Sequence, residues 1–198
     1  MASEESPTPH GRGPRVSFQG EPGAFSELAI RNVWPSGAVA QACASFEEVV
    51  AVLLDGSVDF AIVPVENAIA GPVQRALVVL DANADRIRRV MESRVSVHLF
   101  LMAPTGATLD KLRVVRSHPV ALAQCRIFLA QHPWLRAEAH DDTAGAARHV
   151  AQCGNLTMGA VASEAAASQY RLEILARNVE DVPANWTRFV VVERREVT

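Results

Sequence analysis

The sequence predicts an α/β fold made of two groups of βα units. From Arg15 onward, short apolar runs alternate with stretches of helical periodicity, the pattern of strand–helix repeats and mostly parallel sheet. The rhythm is interrupted once, by Arg94-Val95-Ser96-Val97-His98-Leu99-Phe100-Leu101-Met102, whose period-two alternation suits a segment crossing from one sheet to another. A chain of 198 residues, 49% hydrophobic and 21% charged, has globular composition and length for one large domain or two lobes.

Residues 1–14 mix Pro, Gly, Ser and charge without periodicity and read as a disordered tail. The first group then reads as strand 16–19, helices 25–33 and 46–54, strand 60–63 and helix 73–81. Arg86, Arg88 and Arg89 suit a solvated helix end. Beyond the alternating stretch the pattern restarts: strand 113–116, helix 119–131, strand 136–140, helix 143–152, strand 158–162 and helix 163–170. A last strand falls at 189–193. No fixed-period repeat, heptad run or low-complexity tract follows residue 14.

Several function classes are excluded at this level. A net charge of -3 without a basic run argues against nucleic acid or a membrane surface as partner. No run approaches the ~18 apolar residues of a membrane span, and the acidic, polar start Met1-Ala2-Ser3-Glu4-Glu5 is no secretory signal. Three separated cysteines, Cys43, Cys125 and Cys153, fit neither a disulfide framework nor a zinc site. A soluble, cytoplasmic protein is expected, with no metal and no cofactor: dinucleotide, P-loop and metalloprotease motifs are missing.

Three βα junctions carry small or capping residues where unpaired backbone N–H groups face the end of a sheet: Ser117-His118-Pro119, Asp142-Thr143 and Ser163. Each satisfies its own helix, and together around one cleft they would form a carboxylate receptor. Near the C-terminus, Asn185-Trp186-Thr187-Arg188-Phe189 sets a hydroxyl and a guanidinium at the mouth of an apolar strand, where α/β domains place ligands. Glu66 at another strand end must be solvated or paired. Arg188 can fork onto a ligand carboxylate or fix Glu66.

Six segments occur in order: Gly20-Glu21-Pro22-Gly23-Ala24-Phe25-Ser26, Val63-Pro64-Val65-Glu66-Asn67-Ala68-Ile69-Ala70-Gly71, Ser117-His118-Pro119-Val120-Ala121-Leu122-Ala123-Gln124-Cys125, Asp142-Thr143-Ala144-Gly145, Ala160-Val161-Ala162-Ser163-Glu164, and Asn185 to Phe189. Together they resemble the catalytic domain of prephenate dehydratase, over residues 15–192. The resemblance implies two lobes like type II periplasmic binding proteins with the active site in the cleft, one lobe being 15–92 plus 180–198 and the other 93–179. It implies a cofactor-free carbon–oxygen lyase of phenylalanine biosynthesis that converts the small dicarboxylate prephenate to phenylpyruvate. Thr187 would protonate the leaving hydroxyl. Glu66, Asn67, Ser117, His118, Thr143, Ser163, Asn185, Arg188 and Phe189 would form the substrate site, with Phe189 suited to its core wall.

One departure stands out: Ala68 occupies a position where that family usually has Ser, and a serine restored there is expected to raise efficiency by the worth of one hydrogen bond. A further expectation is a stand-alone catalytic domain, without the regulatory domain that follows it in most relatives, and so little allosteric response to phenylalanine. A homodimer is the expected assembly. Three other readings stay open. The amine analogue arogenate would suit the same site. A decarboxylase relative would lack the proton donor that Thr187 supplies. A binding module that has lost catalysis would draw its support from Ala68.

Overall fold

A computed structural model describes residues 13–195; most of the tail read at residues 1–14 lies outside that range. Two mixed sheets, one per lobe, form the frame. The first runs β2 (Val39–Cys43), β1 (Arg15–Gln19), β3 (Phe60–Asn67), β11 (Trp186–Arg194), β5 (Ile87–Ser96), with the short β4 (Gly71–Pro72) paired to the end of β3. The second runs β10 (Glu173–Ala176), β6 (Phe100–Ala103), β9 (Met158–Ala162), β7 (Val114–Ser117), β8 (Arg136–Ala139). β1 pairs in parallel with β2 and β3, and β7 with β8 and β9, as βα units require. β11 returns from the second lobe and inserts antiparallel between β3 and β5.

Each sheet is covered on both faces. Helix α1 (Phe25–Val33) packs Ala29 and Ile30 against Val16, Phe18, Ile62, Phe189 and Val191. On the opposite face α2 (Phe46–Leu54) and α3 (Gln74–Ala82) bury Val49, Leu53, Ala76 and Leu80 against Val63, Val190 and Val192. In the second lobe α6 (Thr143–Cys153) and α7 (Glu164–Tyr170) meet Met102, Ala160 and Ala162 through a run of alanines. The small side chains let these helices approach the sheet closely. The other face carries α4 (Pro119–Ala123) and α5 (Arg126–Gln131), with Ala121 and Cys125 against Leu101, Val115 and Val161.

The structure corrects several sequence readings. Residues 86–89 do not end a helix: β5 begins at Ile87 and carries the first sheet to Ser96, past Glu92. Two of its three arginines are held from the side, Arg88 by Glu193 and Arg94 over the Trp186 ring at 4.0 Å. The alternating stretch does cross from one sheet to the other, as two strands separated by Val97, His98 and Leu99. The helix expected over 119–131 is broken, because the Asp181 carboxylate accepts from the backbone N–H of Arg126 (3.1 Å) and Ile127 (2.9 Å) and starts a new helix there. Strands β2 and β10, missed by periodicity, are both at sheet edges.

Two segments connect the lobes, 97–99 and 177–185, and they bond to each other. Val97 N–H donates to Asn185 O (3.0 Å) and Val179 N–H to Leu99 O (2.9 Å). The buried Glu180 carboxylate accepts from Leu99 N–H (2.9 Å) and faces His98 Nδ1 at 3.0 Å. Away from this hinge, the loop before α1 docks on the second lobe. Tyr170 donates to Pro22 O (2.9 Å), Ser163 Oγ to Gly23 O (2.6 Å), and Glu21 pairs with Arg148 (3.0 Å). Burial beside this contact pushes the Tyr170 hydroxyl up to about 12, so it stays a donor.

No helix of the described residues is long and apolar enough to cross a membrane. Gly23 has φ +88°, and a Cβ there would meet the Ala166 backbone at 2.7 Å. Gly23→Ala is therefore expected to lower stability by about 2–4 kcal/mol, from left-handed strain plus the clash. Urea unfolding reads this directly; an unchanged midpoint would mean the loop leaves the second lobe in solution.

Candidate active site

The cleft is organised by the end of β3. Val63 opposes Val190 and Ile62 opposes Val191, each pair sharing a face. Register then shifts: Pro64 opposes Phe189, but Glu66 already opposes Arg188, leaving Val65 as an extra residue. Pro64 has no N–H to give the ladder, and proline in an inner strand is tolerated at such a bulge. The consequence is a change of face. Uninterrupted alternation would put Asn67 with Val63 and Val65; instead it opposes Thr187, on the side that faces the second lobe.

Asn67 is the hub of the site. Its Nδ2 lies 3.0 Å from Thr187 Oγ1, 3.0 Å from Asn185 Oδ1 and 3.1 Å from Trp186 O, sharing two protons among three acceptors. Its Oδ1 accepts from the backbone N–H of Ile69 (3.1 Å) and Ala70 (2.9 Å), which fixes both the turn and the amide orientation. Because Thr187 Oγ1 accepts from Asn67, the hydroxyl proton remains to be given elsewhere. Asn185 passes the order on: its Nδ2 donates to Gln124 Oε1 at 3.1 Å. With that oxygen engaged, the amide N–H groups of Gln124 are left as its free donors, and Gln124 lines the cavity.

Thr187, Asn67 and Gln124 line a cavity of about 390 Å³ between the lobes. Phe25, Pro72, Val73, Val97 and Leu99 form apolar walls, and His118, Val120 and Thr143 close the second-lobe side. Among the described residues, no Arg or Lys lines it. His118 caps α4, its Nδ1 accepting from Val120 N–H at 3.2 Å, so the proton sits on Nε2. Burial lowers the His118 pKa, against the opposing pull of the Asp142 and Asp141 carboxylates. A neutral N–H donor therefore borders the cavity near pH 7. Asp142 caps α6 through Gly145 N–H (2.6 Å), leaving Thr143 on the first turn to face the cavity.

The residues singled out in the sequence divide accordingly. Asn67, His118, Thr143 and Thr187 line the cavity, with Asn185 directly behind. Ser117 is fully buried and its hydroxyl donates to Val161 O at 2.6 Å; the cap it was expected to form is made by His118. Ser163 caps α7 and holds Gly23. Phe189 is in the core. Arg188 lies on the opposite face, donating twice to Glu66 Oε2 (3.0 and 3.1 Å) and once to Glu92 Oε1 (3.2 Å). Of its two available uses, the geometry shows the structural one. The sequence pattern places Gln124 only in the interior of a helix; its position in a motif beside Cys125 is the available signal. Burial pushes the Cys125 thiol up to about 12 and Cys43 up to about 11, so both are inert thiols.

A family model for prephenate dehydratase matches residues 16–197. Arogenate dehydratase 1 of Petunia hybrida is 39% identical over 97% of this chain and 45% of its own length. A bifunctional N-acyl-homoserine lactone acylase/prephenate dehydratase of Komagataeibacter europaeus is 39% identical over 92% of this chain and 64% of its own. The crystal structure of prephenate dehydratase from Arthrobacter aurescens in complex with L-Phe superposes with a TM-score of 0.82 at 27% identity, covering 92% of this chain and 61% of that one. The chain spans about half the length of the plant relatives it matches. Fold and cleft thus define a two-lobed α/β protein with a cavity between its lobes. The chain belongs to the prephenate dehydratase family.

Ala68 is exposed, bonded through its N–H to Trp186 O (2.9 Å), and does not line the cavity. The gain expected from a serine here has no partner to produce it. Ala68→Ser should leave catalytic efficiency within about twofold, as surface substitutions away from special features do. A rise of tenfold in kcat/KM would mean that the turn moves into the cleft when substrate binds.

Proposed function

We propose that the protein is a cofactor-independent dehydratase acting on prephenate or its amine analogue arogenate, with Thr187 as the proton donor. The observation that carries this reading is the 3.0 Å contact in which Asn67 Nδ2 donates to Thr187 Oγ1, leaving the threonine proton to be delivered into an apolar chamber. In the reaction the bond from the ring to its carboxylate breaks, and that electron pair becomes part of the aromatic ring as the C4–oxygen bond cleaves. Carbon dioxide and water leave, and one proton is consumed.

Threonine is too weak an acid to ionise first, so its proton moves as charge develops on the departing oxygen. The Asn67 amide stabilises the oxygen that Thr187 is left with, and solvent restores the proton after release. Gln124 and the N–H of His118 Nε2 supply neutral donors for a carboxylate, supported by the first turns of α4 and α6. The walls from Phe25, Val97 and Leu99 keep water from the reacting ring. None of these roles calls for a metal, and no group of three or more His, Cys, Asp or Glu among the described residues could hold one.

Purified protein should form phenylpyruvate from prephenate, or phenylalanine from arogenate, and keep its rate in EDTA. Thr187→Ala should lower kcat by about 10²- to 10⁴-fold while substrate affinity changes far less. Thr187→Ser should retain part of the rate. An alanine variant with more than half the wild-type kcat would assign the proton to another group.

A further inference from the structure

Beside the active-site cavity lies a second one of about 480 Å³, lined by Gln19, Ser45, Gln74 and Arg75 from the first lobe and by Asp141 and Asp142 from the second. Pro72, Val73 and His118 border both. They are adjoining chambers of one cleft with opposite chemistry: the first has neutral donors and apolar walls, the second has formal charges of both signs.

Arg75 stands on the first turn of α3. Its guanidinium makes no ion pair among the described residues, whose arginine pairs involve other side chains. The Glu47 carboxyl is held below its usual range chiefly by its own backbone N–H and the Ser45 hydroxyl, Arg75 adding only a weaker pull. Across the cleft, Asp141 and Asp142 both act on the His118 ring. Asp142 gives one oxygen to the α6 cap; Asp141 is exposed. Unpaired charges of one sign on each lobe are ordinary on a surface. Here the exposed Arg75 and the two aspartates line one and the same chamber, which shares Pro72, Val73 and His118 with the cavity at Thr187.

A substrate with its C4 hydroxyl at Thr187 points its opposite ring carbon, and the three-carbon side chain it bears, away from Thr187. We propose that the second chamber receives that side chain as an α-amino acid, Arg75 taking the carboxylate and Asp141 with Asp142 the ammonium, so that the protein prefers arogenate to prephenate. The inference rests on the dehydratase reading above. The keto substrate carries no positive charge, and closing the lobes on it brings two acids against a carbonyl oxygen. The amino substrate instead bridges the lobes, cation to one side and anion to the other.

Steady-state kinetics with both substrates test this. The wild type should show kcat/KM for arogenate at least about tenfold above prephenate, the worth of one good ionic contact. Arg75→Ala should raise KM for both substrates about 10- to 100-fold with kcat changed less than about threefold, the signature of lost uniform binding; Arg75→Lys should recover part. Asp141→Asn should lower efficiency on arogenate about two- to fivefold and spare prephenate. A wild type that prefers prephenate, or an Arg75→Ala variant with both KM values unchanged, overturns the assignment while leaving the dehydratase reading intact. If neither substrate turns over, that reading fails instead. Calorimetric titration of arogenate into wild type and Arg75→Ala then decides the subsite by itself, equal affinities refuting it.

Discussion

The contact between Asn67 and Thr187 depends on one irregularity, the bulge at Val65. Everything downstream follows from which face the last residues of β3 present. With Val65 extra, Glu66 turns to the α2–α3 side and meets Arg188, while Asn67 turns to the cleft and meets Thr187. One register shift therefore separates a charged pair from a neutral pair. The sheet holds both, since β11 is flanked by β3 and β5 and cannot shift without breaking two ladders. The result is a site whose polar atoms are placed by backbone register rather than by flexible side chains.

The hinge is equally bound to the site. Asn185 belongs to the returning connection, where its carbonyl accepts from Val97 N–H and its side chain joins Asn67 to Gln124. Four residues earlier, Asp181 starts α5 and its N–H donates to Gln124 O at 2.6 Å. A single segment thus links the sheet of one lobe to the helix break of the other. Rotation of the lobes must act on the Asn67–Asn185–Gln124 chain, and a ligand that aligns this chain favours one lobe arrangement.

How much of this was legible in the sequence followed burial. Inner strands β1, β3, β7, β9 and the core of β11 announce themselves as apolar runs, because both faces are covered. β2 and β10 are edges with half-exposed residues, and β5, the other edge of its sheet, carries arginines satisfied by Glu193 and Trp186, so its pattern mimicked a solvated helix. The caps at Asp142 and Ser163 were readable, since a short polar side chain before a helix has few other uses. The position of Gln124 was not, because the break that exposes it is imposed by Asp181, 57 positions further along the chain. Nor was the facing of Asn67, since counting along the strand gives the wrong side until the bulge is known.

The distribution of charge suits the proposed dehydration, a reaction that destroys charge. A guanidinium on the carboxylate that departs as carbon dioxide would bind the ground state more tightly than the transition state, in which that charge is draining into the ring. The reaction chamber offers such a carboxylate only neutral donors and apolar walls, and the arginine beside Thr187 is drawn to the far face by Glu66 and Glu92. Strong cationic recognition belongs instead on the part of the substrate that keeps its charge. The proposed subsite puts Arg75 there, in the chamber that adjoins the one lined by Thr187. On the proposed mechanism, binding energy gathered there raises affinity without stabilising the group that must leave, while the amide, hydroxyl and imidazole around Thr187 favour the oxygen that gains charge.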